Sequence, residues 1–188
     1  MEVIKFDKNK EFSVNSYMVI KGNNAILIDT GFNYDEIEKC LSERKLNLIA
    51  VFLTHGHFDH IYLAKKFQDM GVKIYIHSMD SDKLYTNKNM GADYNLLPQP
   101  LHADVLMEEG TYSVGEFTIQ VIHTPGHSKG SCCFLIENKL FLGDTMFEHG
   151  YGRYDLYDGS YNEIMQSLRR LIKIIKNNNY TLYYGHDY

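Results

Sequence analysis

An unbroken apolar run, Ile49-Ala50-Val51-Phe52-Leu53, leads directly into Thr54-His55-Gly56-His57-Phe58-Asp59-His60. A run this short and this apolar reads as a strand buried on both faces, so its sheet must be covered on each side. The segment after it carries four imidazole or carboxylate groups between His55 and His60. These are the donors that borderline divalent metals such as zinc and iron accept. In a tight loop, alternate residues turn toward one centre. His55 and His57 can therefore share a metal, while Asp59 and His60 reach a second point nearby. Gly56 is expected to let the backbone bend sharply between the first two donors. The competing reading, a polar loop with accidental histidines, is disfavoured by the clustering.

The elements around this segment alternate. Val3 to Phe6, Ser13 to Ile20 and Ala25 to Ile28 are β-prone, and the last ends in Asp29-Thr30-Gly31. Asn23 and Asn24 predict a hairpin turn before it. A helix is predicted from Tyr34 to about Arg44, with Asn33 as its cap and Glu36 at capping-box spacing. A second is predicted from Ile61 to about Met70, stopped by Gly71. Lys73 to His77 reads as a buried strand, and Met79 to Pro100 as a long, irregular polar excursion with one helical piece. Phe117 to Ile122, Cys132 to Ile136 and Leu140 to Leu142 read as further strands. Ile164, Leu168, Leu171 and Ile175 recur at helical spacing, behind a capping box of Ser160 and Glu163. Tyr180 to Tyr184 is a last strand before Gly185-His186. Strands followed by helices alternating with buried strands imply a layered α/β domain. At 188 residues, 44% apolar, the chain is expected to form one domain, 1–188, with a sizeable core. Leu53-Thr54-His55-Gly56-His57 and His123-Thr124-Pro125-Gly126-His127 form a faint internal echo, each after a strand.

Charge and cysteine usage narrow the class. Nineteen basic against 24 acidic residues, net −5, argue against a phosphate-neutralising surface, so no nucleic-acid partner is expected. MEVIKFDKNK lacks the basic and apolar blocks of a signal peptide, and no run approaches the ~20 residues of a membrane helix. No membrane association is expected. Cys40, Cys132 and Cys133 are odd in number, and the adjacent pair would point to opposite faces of a strand. Reduced thiols and a cytoplasmic location fit best.

One loop cannot complete two metal shells. His127 in Thr124-Pro125-Gly126-His127-Ser128, Asp144 in Phe141-Leu142-Gly143-Asp144-Thr145 and His186 in Tyr183-Tyr184-Gly185-His186 each follow a predicted strand. Singly, each is an ordinary turn, cap or core residue; jointly they form a pattern. His77, His102, His123 and His149 match no donor position and read as structural or surface residues.

His-x-His-x-Asp-His followed by a distant His, Asp and His resembles the metallo-β-lactamase superfamily, in its order, from Asp29 to His186. The resemblance implies a four-layer αββα sandwich with two divalent metal ions at one edge, zinc in the first instance, or iron or manganese. It implies His55, His57 and His127 around one ion and Asp59, His60 and His186 around the other. Asp144 would bridge them, and Asp29 would orient a ligand from behind. Within the superfamily the chain is similar to glyoxalase II and its short bacterial relatives. The similar segments are Gly143-Asp144-Thr145-Met146-Phe147, then Gly150-Tyr151-Gly152-Arg153, and the terminal Gly185-His186-Asp187-Tyr188. That similarity implies hydrolysis of a small acyl thioester by a hydroxide shared between the ions, with Asp59 as ligand and catalytic orienter. Arg153 would grip a substrate carboxylate, unless it pairs with Asp155 instead, and Tyr188 would lie at the thiol half. The chain ends two residues after His186, without the C-terminal helical domain of glyoxalase II, which leaves glutathione specificity open. The rival reading is a persulfide dioxygenase with a single iron on His55, His127 and Asp144. Lactone or β-lactam hydrolysis would use the same centre. The flavodiiron pattern is disfavoured because His57 stands where that branch has Glu. A non-enzymatic metal-binding module fits poorly with ligand sets that leave room for substrate.

Overall fold

The apolar run before the histidine segment forms strand β4 (Asn47–Phe52) near the middle of a six-stranded sheet. The computed structural model describes residues 1–7 and 12–187. In spatial order the sheet is β1 (Glu2–Phe6), β2 (Ser16–Lys21), β3 (Asn24–Ile28), β4, β5 (Lys73–His77) and β6 (Val105–Met107). β1 to β3 pair antiparallel, and β3 to β6 pair parallel. Ile26, Ile28, Ala50 and Phe52 enter one core; Ala25, Leu27, Val51 and Leu53 enter another. This alternation explains the continuous apolar run, since neither face of the strand meets water.

The second sheet is ordered β13 (Thr181–Tyr183), β10 (Lys139–Phe141), β9 (Cys132–Ile136), β8 (Phe117–His123) and β7 (Gly110–Val114). Its Phe117, Val121, Cys132 and Phe134 pack with Ile26, Phe52 and Tyr75 between the sheets. Outside the first sheet lie α1 (Tyr34–Arg44) and α3 (Ala64–Asp69), whose Ile37, Ala64 and Phe67 join Leu27, Val51 and Ile74. Outside the second lies α4 (Tyr161–Lys176), with Leu171 against Ile122, Cys133 and Leu140. The layers are therefore αββα, as expected. Cys132 and Cys133 serve different layers, and all three cysteines are free thiols. Among the described residues no helix is long and apolar enough to cross a membrane.

Several local expectations are corrected. The single helix predicted from Ile61 is two pieces, α2 (Phe58–Ile61) and α3. Leu63 N–H is drawn to Thr30 Oγ1 at 3.1 Å, while Thr30 N–H donates to the His60 carbonyl at 2.8 Å, so the loop after β3 interrupts the helix. Asn33 makes no side-chain cap bond, because its φ of −90° and ψ of 48° are not the extended conformation a cap needs. The hairpin turn is Gly22-Asn23, one residue earlier than predicted, with Lys21 opposite Asn24. Ser13, at φ 50°, lies outside β2, and Val14 pairs with His186 instead. β6, β7 and the short hairpin of β11 (Met146–Phe147) and β12 (Gly150–Tyr151) had no clear sequence signal. Ser160 caps α4 as predicted, accepting from Glu163 N–H at 3.3 Å.

Candidate metal centre

Each singled-out donor stands just beyond the C-terminal end of a strand. Asp29 follows β3, His55 to His60 follow β4, His127 follows β8, Asp144 follows β10 and His186 follows β13. β8 and β10 are both antiparallel to β9, and β13 is parallel to β10, so these three point the same way. Two sheets therefore deliver their loops to one edge.

His55, His57 and His127 each bring a ring nitrogen within 4.8 Å of the others. His127 Nε2 is 2.9 Å from His57 Nδ1 and 3.2 Å from His55 Nε2. The nitrogens at the rear are committed. His127 Nδ1 donates to the Arg153 carbonyl at 2.7 Å. His55 Nδ1 stands 3.1 Å from Thr54 Oγ1, whose own proton goes to Asp29 Oδ2 at 2.7 Å. His55 and His127 thus keep their protons behind and present lone pairs in front.

The second set faces the first. His60 Nδ1 donates to Asp29 Oδ2 at 2.8 Å, and His186 Nδ1 to the Phe12 carbonyl at 2.9 Å. Their Nε2 atoms meet at 3.3 Å, and Asp59 Oδ2 is 3.4 Å from His186 Nε2. Asp144 spans both sets: Oδ2 is 3.6 Å from His127 Nε2 and 3.3 Å from His186 Nε2, and Oδ1 is 3.2 Å from His60 Nε2. Asp29 reaches one set through Thr54 and the other directly through His60.

Electrostatics divide the two sets. Burial holds His55 well below the usual imidazole range, and burial with His127 alongside pushes His57 down to about 3. Burial opposes charge on His60 and His186 too. The carboxylates of Asp144, Asp59 and Asp29 nevertheless hold His60 well above its usual value, and Asp144 raises His186 to about 9. Burial likewise disfavours an ionised Asp144, yet His186 and His60 hold it well below the carboxylate range. His55 and His57 are thus held uncharged at neutral pH, whereas His60 and His186 carry protons where a cation would go.

These donors fit a metal. Converging lone pairs repel unless a positive charge lies between them. Nitrogens sharing a tetrahedral ion at ~2.0–2.1 Å stand about 3.3 Å apart, close to the spacing found. Asp144 Oδ1 is buried yet makes no hydrogen bond among the described residues, its approach to His60 missing hydrogen-bond geometry. Asp59, His60 and His186 form a second group of compatible spacing, as do His55, His60 and Asp144.

The centre floors a cavity of about 350 Å³, walled by Phe12, Phe58, Met90, Tyr94, Phe147 and Leu156. Among the described residues, Arg153 is the one Lys or Arg in its lining. Its guanidinium is bidentate to Asp155 at 2.9 and 3.0 Å, the pairing weighed in the sequence, while both side chains remain mostly exposed. Tyr188 lies outside the described residues. His102 and His149 are exposed, and His77 stacks on His123 at 4.2 Å, away from the centre. Gly56 does not occupy the left-handed region; a side chain there would meet Lys83 Cβ at 2.6 Å, so space rather than bending requires glycine. The sequence reading missed that neighbour, and with it Asp80, which accepts the Gly56 N–H at 2.8 Å. Both lie in the stretch read as an irregular excursion, where only an Asp and a Lys three residues apart gave any signal.

The profile described as Metallo-beta-lactamase superfamily matches residues 9–186, and the chain belongs to that superfamily. A probable metallo-hydrolase of Methanocaldococcus jannaschii, MJ0888, is 31% identical over 189 residues, covering 93% of this chain and 88% of its own. A probable polyketide biosynthesis zinc-dependent hydrolase of Bacillus velezensis, BaeB, is 32% identical over 151 residues, covering 79% and 61%. Among solved structures, the B3 metallo-beta-lactamase BLEG-1 superposes with a TM-score of 0.91 at 27% identity, over 100% of this chain and 92% of its own. TTHA1623 in a di-iron-bound form gives 0.84 at 26%, over 100% and 93%.

Proposed function

We infer that the protein is a metal-dependent hydrolase that takes two divalent ions and cleaves small acyl thioesters with water, releasing a carboxylic acid and a thiol. The observation that carries this reading is the convergence of two donor sets, joined by Asp144, on the floor of one cavity. The relatives called metallo-hydrolase and zinc-dependent hydrolase support the reaction class, and the di-iron neighbour supports two ions while leaving zinc, iron and manganese as candidates. When bound, such a pair supplies an acidified water and a polarised carbonyl at neutral pH.

The chain's own residues do the rest. His55, His57 and His127 offer neutral lone pairs to one ion; His60, His186 and Asp59 serve the other, and Asp144 serves both. Asp59 is the carboxylate that reaches from this set into the cavity lining. Burial opposes its ionisation, but His60 and His186 hold it below the usual range, so it accepts a hydrogen bond from the attacking water and orients it. The apolar wall would receive the acyl part, and Arg153, in the cavity lining, would meet a carboxylate on the thiol half once released from Asp155.

A second reading, β-lactam hydrolysis, is favoured by the likeness to BLEG-1, and lactone hydrolysis would use the same centre. Metal-loaded protein offered thioesters, lactones, β-lactams and a persulfide, with and without oxygen, separates these. Thiol release from a thioester at an undiminished anaerobic rate is expected. Turnover confined to lactones or β-lactams, or oxygen uptake on the persulfide without thiol release, contradicts the thioesterase assignment.

A further inference from the structure

Behind the three-histidine set lies a buried polar chain that the proposed reaction does not use. Asp80, in the 3₁₀ turn Ser78–Leu84, has a fully buried side chain with two donors on each oxygen. Oδ2 accepts from Gly56 N–H at 2.8 Å and from the Ser128 hydroxyl at 2.6 Å. Oδ1 accepts from Gly130 N–H at 2.7 Å and from the Lys83 ammonium at 2.7 Å. Gly56 lies between His55 and His57, and Ser128 follows His127. One carboxylate therefore grips two histidine loops that arrive from different sheets. Lys83, itself buried, continues to Asp158 Oδ2 at 2.6 Å, in the loop that carries Arg153 and Leu156 to the cavity.

The histidines differ in how they are held. His55 is backed by Thr54, His60 by Asp29, His127 by the Arg153 carbonyl and His186 by the Phe12 carbonyl. His57 Nε2 has no such partner among the described residues. Its ring is placed by its backbone, and the adjoining Gly56 amide is fastened to Asp80. Metal sites hold their affinity only when donors are kept near bonding geometry by the groups behind them.

We propose that Asp80 is a positioning residue for the three-histidine set, locking the Gly56 and Ser128–Gly130 backbones so that His57 and His127 meet at one ion. This rests on the reading that the set holds a metal. The test is cobalt(II) titration of metal-stripped wild type, Asp80→Asn and Ser128→Ala, followed by visible d–d absorption, with melting curves of the metal-free proteins. Asp80→Asn replaces two acceptor contacts with donors, and its affinity for one ion is expected to fall about 10- to 100-fold while the other ion binds within about threefold of wild type. Ser128→Ala removes one contact to Asp80 and one to Ser131 Oγ; it should fold, melt a few degrees below wild type and weaken the same ion, about threefold or more, while leaving the other ion unchanged. Ser128→Ala decides the question if Asp80→Asn does not fold. Equal weakening of both ions in step with lost melting temperature, or a Ser128→Ala titration that overlays wild type, overturns the role of Asp80. Wild type that takes up no cobalt overturns the metal reading itself.

Discussion

Arg153 takes part in two contacts of opposite character. Its carbonyl accepts the His127 Nδ1 proton in the protected interior, while its guanidinium pairs with Asp155 at the surface. An exposed pair of this kind is screened by water and holds little, so Arg153→Ala should lower the melting temperature by less than about 4 °C. A charge-assisted bond to a substrate carboxylate is worth about 1.5–3 kcal/mol, so kcat/KM on a carboxylate-bearing thioester should fall roughly 10- to 150-fold, mainly through KM. An uncharged thioester should change little. Equal loss on both substrates with a marked drop in melting temperature would show that the ion pair holds the loop instead. At this scale the donors were legible because each stands a few residues after a strand, in a turn rich in Thr, Gly and Pro. The groups behind them were legible only in part. Asp29 carried a recognisable Asp-Thr-Gly context, but a carbonyl such as that of Arg153 carries no side-chain signal, and Asp80 meets Gly56 across 24 residues of chain.

At the scale of elements, the turn bearing His127 is docked on α4. Ser160 N–H donates to the Gly126 carbonyl, and Ser167 Oγ to the Pro125 carbonyl, both at 2.8 Å. Gly126 has a φ of 133°, and a Cβ there would lie 2.1 Å from Ile164 N. Gly126→Ala should therefore cost about 2–6 kcal/mol from backbone strain and overpacking together, whereas Gly22→Ala, in open space at φ 59°, should cost only about 1–2 kcal/mol. Denaturant melts of the two variants compare them directly, and equal losses would refute the docking argument. The Asp80–Lys83 pair belongs to this scale too. Burial disfavours both charges, yet Lys83 lowers the Asp80 carboxyl and Asp80 raises the Lys83 ammonium. A lowered carboxyl stabilises the fold above its unfolded value, near pH 4, and loses that stability as pH falls through the lower folded value. A raised ammonium stabilises below its unfolded value, near 10, and loses that stability as pH rises further. The melting-temperature gap between wild type and Asp80→Asn should thus be flat from about pH 5 to 9 and narrow below about pH 4. A gap that changes steeply near neutrality would contradict it. β4 and β5 were readable because burial on both faces makes them continuous apolar runs, and α4 because burial of one face writes a helical period into it. The break at Tyr62 and Leu63 was not, because a hydrogen bond to Thr30, distant in sequence, causes it.

For the whole molecule, the sandwich brings the ends of five strands to one edge, and that convergence makes separate histidines and carboxylates into a centre. A layered α/β domain could be expected from alternating buried strands and helices, and its four layers only from the family resemblance; which loops would meet depends on strand order, and periodicity does not contain that order. The most direct test is a metal count on protein saturated with zinc, iron or manganese and freed of excess. Wild type should retain two ions per chain. His127→Ala should empty mainly one site, and Asp144→Ala, which spans both sets, should weaken both. Wild type that retains at most one ion under saturation with any of the three would contradict the two-ion hydrolase.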